Sequence, residues 1–195
     1  MKLRLCSFAT ALLLPLAAHA GMEENCVQSS DPDLSIGGCT AMIRSGEYES
    51  RNLAVAYTNR GNAHLRLSET SQAIADYDQA IRLDPDYPLA YNGRGLAYRN
   101  LGEDSRAITD FSQAIRLDPQ YDRAYKNRGI AYEHLGGNHH AMRDYETAMH
   151  IGGSSRVKTW QKYLAKTGFY DGAIDGKYGP KTRAGLLACT EDPDC

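Results

Sequence analysis

The stretch YNGRGLAYRNLGEDSRAITDFSQAIRLDP (residues 91–119) is a variant of YTNRGNAHLRLSETSQAIADYDQAIRLDP (residues 57–85), which stands 34 residues before it. A third copy, YKNRGIAYEHLGGNHHAMRDYETAMHIGG (residues 125–153), follows at the same distance. Tyr57, Tyr91 and Tyr125 coincide, as do Gly61, Gly95 and Gly129; then Ala73, Ala107 and Ala141; then Tyr77, Phe111 and Tyr145; then Ala80, Ala114 and Ala148. Aromatic, small, small, aromatic and small positions at a fixed period of 34 describe pairs of antiparallel helices stacked side by side, each too small to bury its apolar face alone. Small residues let two helices approach, and the aromatics fill what remains. Pro85 and Pro119 close helix B of the first two units, because proline lacks an N–H and clashes with the preceding turn. In the third, Ile151-Gly152-Gly153 replaces the Leu-Asp-Pro ending, which predicts a softer joint.

This pattern resembles the tetratricopeptide repeat (TPR) family over residues 54 to 155, as units 54–87, 88–121 and 122–155. The resemblance implies an all-α helix-turn-helix solenoid of three repeats with capping helices, and a surface that holds a partner polypeptide. In the family the concave surface is lined by helix A positions that here are Thr58, Asn62, Arg66, Asn92, Leu96, Arg99, Lys126, Ile130 and Glu133. This mixed, mildly basic set suits an acidic or carboxylate-ended peptide. Arg60, Arg94 and Arg128 each precede the packing glycine, and Asp76, Asp110 and Asp144 recur on helix B. The matched rows predict an ion-pair ladder between the two helices of each unit.

The ends of the chain speak to its compartment. Residues 1–20 combine Lys2 and Arg4, a short apolar run around Leu12-Leu13-Leu14, and Ala18-His19-Ala20, the layout of a cleaved signal peptide. The run is shorter than the roughly 20 apolar residues a membrane anchor needs, so a periplasmic or secreted protein that does not span the membrane is expected. Beyond it stand Cys26, Cys39, Cys189 and Cys195. An even count in an exported chain favours disulfides, and of the three pairings the local ones, Cys26–Cys39 and Cys189–Cys195, are expected. Each would staple an end that no neighbouring repeat protects. Residues 21–53 read as an extended lead-in pinned by Cys26, followed by a capping helix carrying Ile36, Cys39, Met42 and Ile43 on one side. A zinc site is disfavoured because no Cys-x-x-Cys or Cys-x-x-His pair exists. His134, His139 and His140 read as an exposed helix connection, not a metal site.

Residues 156–195 differ from the repeats. Val157, Trp160 and Leu164 make a helical stripe ended by Gly168, and a second helix is expected from Pro180 to about Ala188. The turn between them resembles the small helical peptidoglycan-binding domain of cell-wall proteins, through Leu164, Gly168, Phe169, Tyr170, Ile174, Asp175, Gly176, Tyr178, Gly179 and Thr182. Gly185 and Cys189 stand where that family carries alanine and a core aromatic. The resemblance implies peptidoglycan association. Tyr170, Tyr178, Lys177 and Lys181 are the exposed contacts expected for sugar or stem peptide, and Asp175, Gly176, Gly179 and Thr182 shape the loop or touch the ligand. Trp160 can also pack on the third repeat.

Charge and motifs limit the function classes. Formal charge is −2, and −4 without Lys2 and Arg4; residues 21–50 hold six acids against Arg44, whereas residues 156–187 hold seven bases against Asp171 and Asp175. The acidic balance argues against nucleic acid. No Gly-x-Ser-x-Gly, His-Glu-x-x-His or phosphate loop is present, so neither an enzyme nor a cofactor is expected. Two functions are left: an envelope adaptor that holds a protein and meets the wall, or an interaction scaffold whose C-terminal segment only caps the repeats.

Overall fold

A computed structural model describes residues 21, 23–27 and 29–192; the expected signal peptide (residues 1–20) and Cys195 lie outside these residues. Among the described residues every regular element is helical: α1 (Pro32–Ser45), α2 (Ser50–Arg66), α3 (Thr70–Leu83), α4 (Pro88–Asn100), α5 (Asp104–Leu117), α6 (Asp122–His134), α7 (Asn138–Lys166) and α8 (Pro180–Glu191). No described helix is long and apolar enough to cross a membrane. The chain forms two compact units, up to Gly93 and from Arg94 onward.

In the first unit α2 and α3 are the helices of one repeat. Ala54, Ala56, Ala63, Ala73, Tyr77 and Ala80 are buried between them and their neighbours. The contact that sets their distance is Tyr77 against Gly61: a Cβ on Gly61 would stand 2.9 Å from Tyr77 Cε1, closer than any real Cβ contact. Gly93 faces the same ring. Arg60 donates from Nε and Nη2 to the two Asp76 carboxylate oxygens, at 2.9 and 2.6 Å, and from Nη1 to Thr40 of α1. α1 starts on an Asp31 side chain that accepts from the Asp33 and Leu34 amides, satisfying donors that a helix start leaves open. It buries Cys39 and Met42 against Ala56. The Cys26–Cys39 disulfide is formed. Residues 23–27 are helical, not extended as the polar composition suggested. Cys26 is buried by its bond to Cys39, and that anchor supplies the packing a short polar segment lacks.

The second unit repeats the plan. A Cβ on Gly95 would stand 2.6 Å from Phe111 Cε1, and one on Gly129 2.5 Å from Tyr145 Cε1. Arg94 pairs with Asp110 at 2.8 Å through both nitrogens, and Arg128 with Asp144 at 2.7 and 2.8 Å, so the ion-pair ladder is present in all three repeats. Helix–helix turns also repeat: Ser68, Gly102 and Gly136 hold positive φ at 62°, 74° and 74°.

α7 runs through the end of the third repeat and continues. At Gly153 (φ 60°, ψ −157°) it kinks, a conformation costly for a residue with a Cβ; the break falls at the Gly-Gly pair. One apolar cluster spans the joint, with Met142, Tyr145 and Met149 before it and Val157, Leu164, Leu186 and Cys189 after. α8 begins with Pro180 in its first turn, as expected, and extends to Glu191, one turn beyond the expected Ala188.

The paired carboxylates are nearly inaccessible, with Asp110 at 6% side-chain exposure. Asp110→Ala is therefore expected to destabilise the protein by about 3 kcal/mol in urea unfolding, because it removes the buried carboxylate that accepts from two Arg94 nitrogens. The double variant R94M/D110L is expected to recover most of that loss.

Candidate functional site

The C-terminal loop is organised by a residue that the motif reading passed over. Gln161 lies on α7, four residues after Val157 and three before Leu164, and is fully buried. Its Oε1 accepts from the Gly176 amide at 2.9 Å. Its Nε2 faces Asp175 Oδ1 at 2.9 Å, Tyr170 Oη at 3.1 Å, Thr182 Oγ1 at 3.2 Å and the Lys177 carbonyl at 3.2 Å. Two amide protons shared among four oxygens hold the loop ends to the helix. A polar residue on the buried register of an otherwise apolar stripe is the sequence signal that could have found it.

Around this hub the expected site residues divide. Asp175 Oδ1 also accepts from the Lys177 amide at 2.9 Å, and the Gln161 amide, then the Lys177 amide, hold its pKa below the usual carboxylate value. Gly176 has φ 76° and backs onto Ser154. Thr182 is buried. Tyr170 donates to the Ala173 carbonyl at 2.8 Å. These four shape the loop. Gly179 has an extended backbone (φ −133°, ψ −177°) and open space at its Cβ position, so its backbone makes no demand for glycine. A close approach falls at Gly185, whose absent Cβ leaves room for the Phe169 carbonyl. Cys189 takes its place in the core and is disulfide-bonded; its expected partner, Cys195, is outside the described residues.

Tyr178 is half-buried. It donates to Glu146 Oε1 at 2.6 Å and its ring meets His150 edge-on at 5.6 Å. Burial and the Glu146 carboxylate push its pKa up. It lines an open groove with Gly179, Pro180, Arg183, Ala184 and Leu187. Arg183 Nε donates to Glu146 Oε1 at 3.0 Å. Lys177 and Lys181 are exposed beside the groove, Lys181 lying 3.2 Å from the still more exposed Asp171.

The expected peptide-facing set is less uniform than its spacing suggests. Thr58 is 2% exposed and donates to the Ala54 carbonyl, and Asn92 is buried. Asn62 is exposed and accepts from Tyr77 Oη at 2.7 Å, while Arg66 donates to the Ser30 carbonyl. Leu96 and Arg99 are partly exposed in the second unit. Lys126, Ile130 and Glu133 line one cavity of about 290 Å³ with α7 and α8. Two of the three histidines have separate partners: His134 faces Asp104 at 3.2 Å, and His140 stacks on Tyr132.

Comparison with known proteins follows the same division. Residues 58–122 match the family described as "Tetratricopeptide repeat". The middle of the chain is built of tetratricopeptide repeats. Residues 153–188 match the family described as "Putative peptidoglycan binding domain". Neither is an enzymatic family. Among curated proteins, none matched. Of solved structures, the crystal structure of MamA is 26% identical at a TM-score of 0.61, covering 71% of this chain and 80% of that one. The first TPR of Spaghetti (RPAP3), bound to an HSP90 peptide, is 27% identical at a TM-score of 0.52, covering 54% of this chain and 84% of that one. The Arabidopsis OM64 TPR domain is 25% identical at 0.51, covering 52% and 84%.

Gln161→Leu keeps the side-chain volume and removes the hub. It is expected to destabilise by about 2 kcal/mol, the cost of stranding buried donors and acceptors. NMR titration is expected to show the Asp175 pKa rising toward its ordinary value. Because the wild-type value is lowered, the stability linked to Asp175 is present above the unfolded-state pKa and fades as pH falls through the folded one. In the variant that acid-side fading is expected to shrink.

Proposed function

We propose that this protein is an exported, non-enzymatic adaptor whose repeats hold a partner polypeptide while its C-terminal module associates with peptidoglycan. The observation that carries the wall half is the family match over residues 153–188, together with a loop fixed by Gln161 that leaves Lys177, Lys181 and the Tyr178 groove open. An aromatic face beside proline and leucine suits a sugar ring. Exposed lysines suit the carboxylates of the stem peptides, and Lys181 holds only a solvent-exposed pair with Asp171 that such a carboxylate can replace. Asp175, Gly176 and Thr182 act in this reading by holding the loop. The repeat half rests on the tetratricopeptide match and on the similarity to the peptide-bound Spaghetti domain. The Cys26–Cys39 disulfide fits an oxidising compartment, which supports export to the periplasm or beyond.

A second reading has its own support. Trp160 packs on Tyr145 of the third repeat with ring centroids 4.8 Å apart, and Arg156 Nε donates to Asp122 of α6 at 3.0 Å. The segment therefore covers the last repeat, as a pure cap would. Deleting it would expose that core, so point variants separate the readings better than truncation does.

Wild-type protein is expected to co-sediment with purified murein sacculi. K177E/K181E is expected to lower the bound fraction at least about fivefold without changing the helical circular dichroism, since both side chains are exposed. Absence of wild-type sedimentation would leave only the capping role.

A further inference from the structure

The groove beside α8 is completed by a residue outside the segment that matches the wall family. Glu146 lies on α7 before the Gly153 kink, whereas the match covers residues 153–188. It stands 34 residues after Ser112, whose Oγ accepts from Arg128 Nη1 of the following repeat at 3.0 Å. This repeat position thus hands an acceptor to the next unit of the array. After the third repeat the C-terminal module takes that unit's place, and Glu146 Oε1 accepts from Tyr178 Oη at 2.6 Å and from Arg183 Nε at 3.0 Å.

Both donors line the groove, whose volume of about 560 Å³ falls within the range of small-ligand sites. Arg183 is 63% exposed and Tyr178 is half-buried next to the start of α8, so neither is fixed by packing alone. One carboxylate oxygen shared by two donors holds both at once, and His150 of the same helix meets the Tyr178 ring edge-on. With its hydroxyl committed to Glu146, Tyr178 offers the groove its ring. Pro180, Ala184 and Leu187 extend that apolar surface.

We propose that Glu146 is a positioning residue of the wall groove: by holding Tyr178 and Arg183 it sets the apolar surface on which a sugar ring of murein packs. The binding unit is then the module together with the last repeat, not residues 153–188 alone. This rests on the wall reading and extends its site into the repeats. Charge separates positioning from simple attraction. Glu146 is an acid beside a groove for a polymer whose stem peptides carry carboxylates, so its removal would by charge alone strengthen binding.

Co-sedimentation of the full chain with purified murein sacculi is the test. Glu146→Leu removes both charge and acceptor, Glu146→Gln removes the charge and keeps an acceptor oxygen, and Tyr178→Phe cuts the same bond from its other end. Glu146→Leu and Tyr178→Phe are each expected to weaken binding about fivefold with unchanged helical circular dichroism, the double variant being no weaker than Glu146→Leu. Glu146→Gln is expected to bind at least as well as wild type. Undiminished binding by Glu146→Leu, Glu146→Gln as weak as Glu146→Leu, or additive losses in the double variant would overturn the proposal. Should Glu146→Leu unfold, Tyr178→Phe decides, and undiminished binding by it is the contrary result. Loss of binding in K177E/K181E but not in Glu146→Leu would leave the wall reading without this extension, and absence of wild-type sedimentation would remove both.

Discussion

An aromatic ring lying where a side chain would otherwise begin is the contact on which the rest of this structure depends. Tyr77, Phe111 and Tyr145 each press on a glycine of the partner helix, and no larger residue fits there. That closeness brings each helix A arginine within bidentate reach of a helix B aspartate. The ion pairs in turn are shielded because the helices are so near. Geometry comes first and the salt bridges follow from it, since a buried pair seldom repays its own desolvation.

Tyr145 carries this contact into the C-terminal part of the molecule. One face fills the space over Gly129, its hydroxyl holds Glu133, and Trp160 packs against it from beyond the kink. Burial and Glu133 raise its pKa far above the ordinary value, so it stays a neutral donor. The same residue thus closes the last repeat and anchors the segment that follows. On the other side of that segment Gln161 performs the polar counterpart, tying Tyr170, Asp175, Gly176 and Lys177 of the loop and Thr182 of α8 to the helix. The module is held by an aromatic stack on one face and an amide network on another.

The repeats were legible because their constraint is periodic: a ring and a glycine recur every 34 residues, and chance does not produce that three times. The Arg–Asp pairing was legible for the same reason, and the Cys26–Cys39 bond was expected from the four cysteines beyond residue 20 together with a preference for local pairing. What escaped has no period. Gln161 was hidden because a glutamine on a helix usually faces water, and its burial depends on a loop up to 21 residues away. Gly179 looked special by motif and is ordinary by backbone, whereas Gly185 is needed for a carbonyl that only tertiary packing delivers. The helix at residues 23–27 was missed because its stability comes from Cys26, not from local preference. Thr58 shows the limit of family spacing: a position in the expected groove can still turn its hydroxyl inward.

A repeat surface alone names no ligand, and the account of function turns on the C-terminal loop presenting its cations and Tyr178 to the wall. The most direct test is NMR chemical-shift mapping of isotope-labelled protein with soluble murein fragments. The account predicts shifts concentrated between Phe169 and Leu187, with the amides of α2, α3 and α5 unmoved. Shifts centred on the repeats, or none anywhere while the protein stays folded, would contradict it.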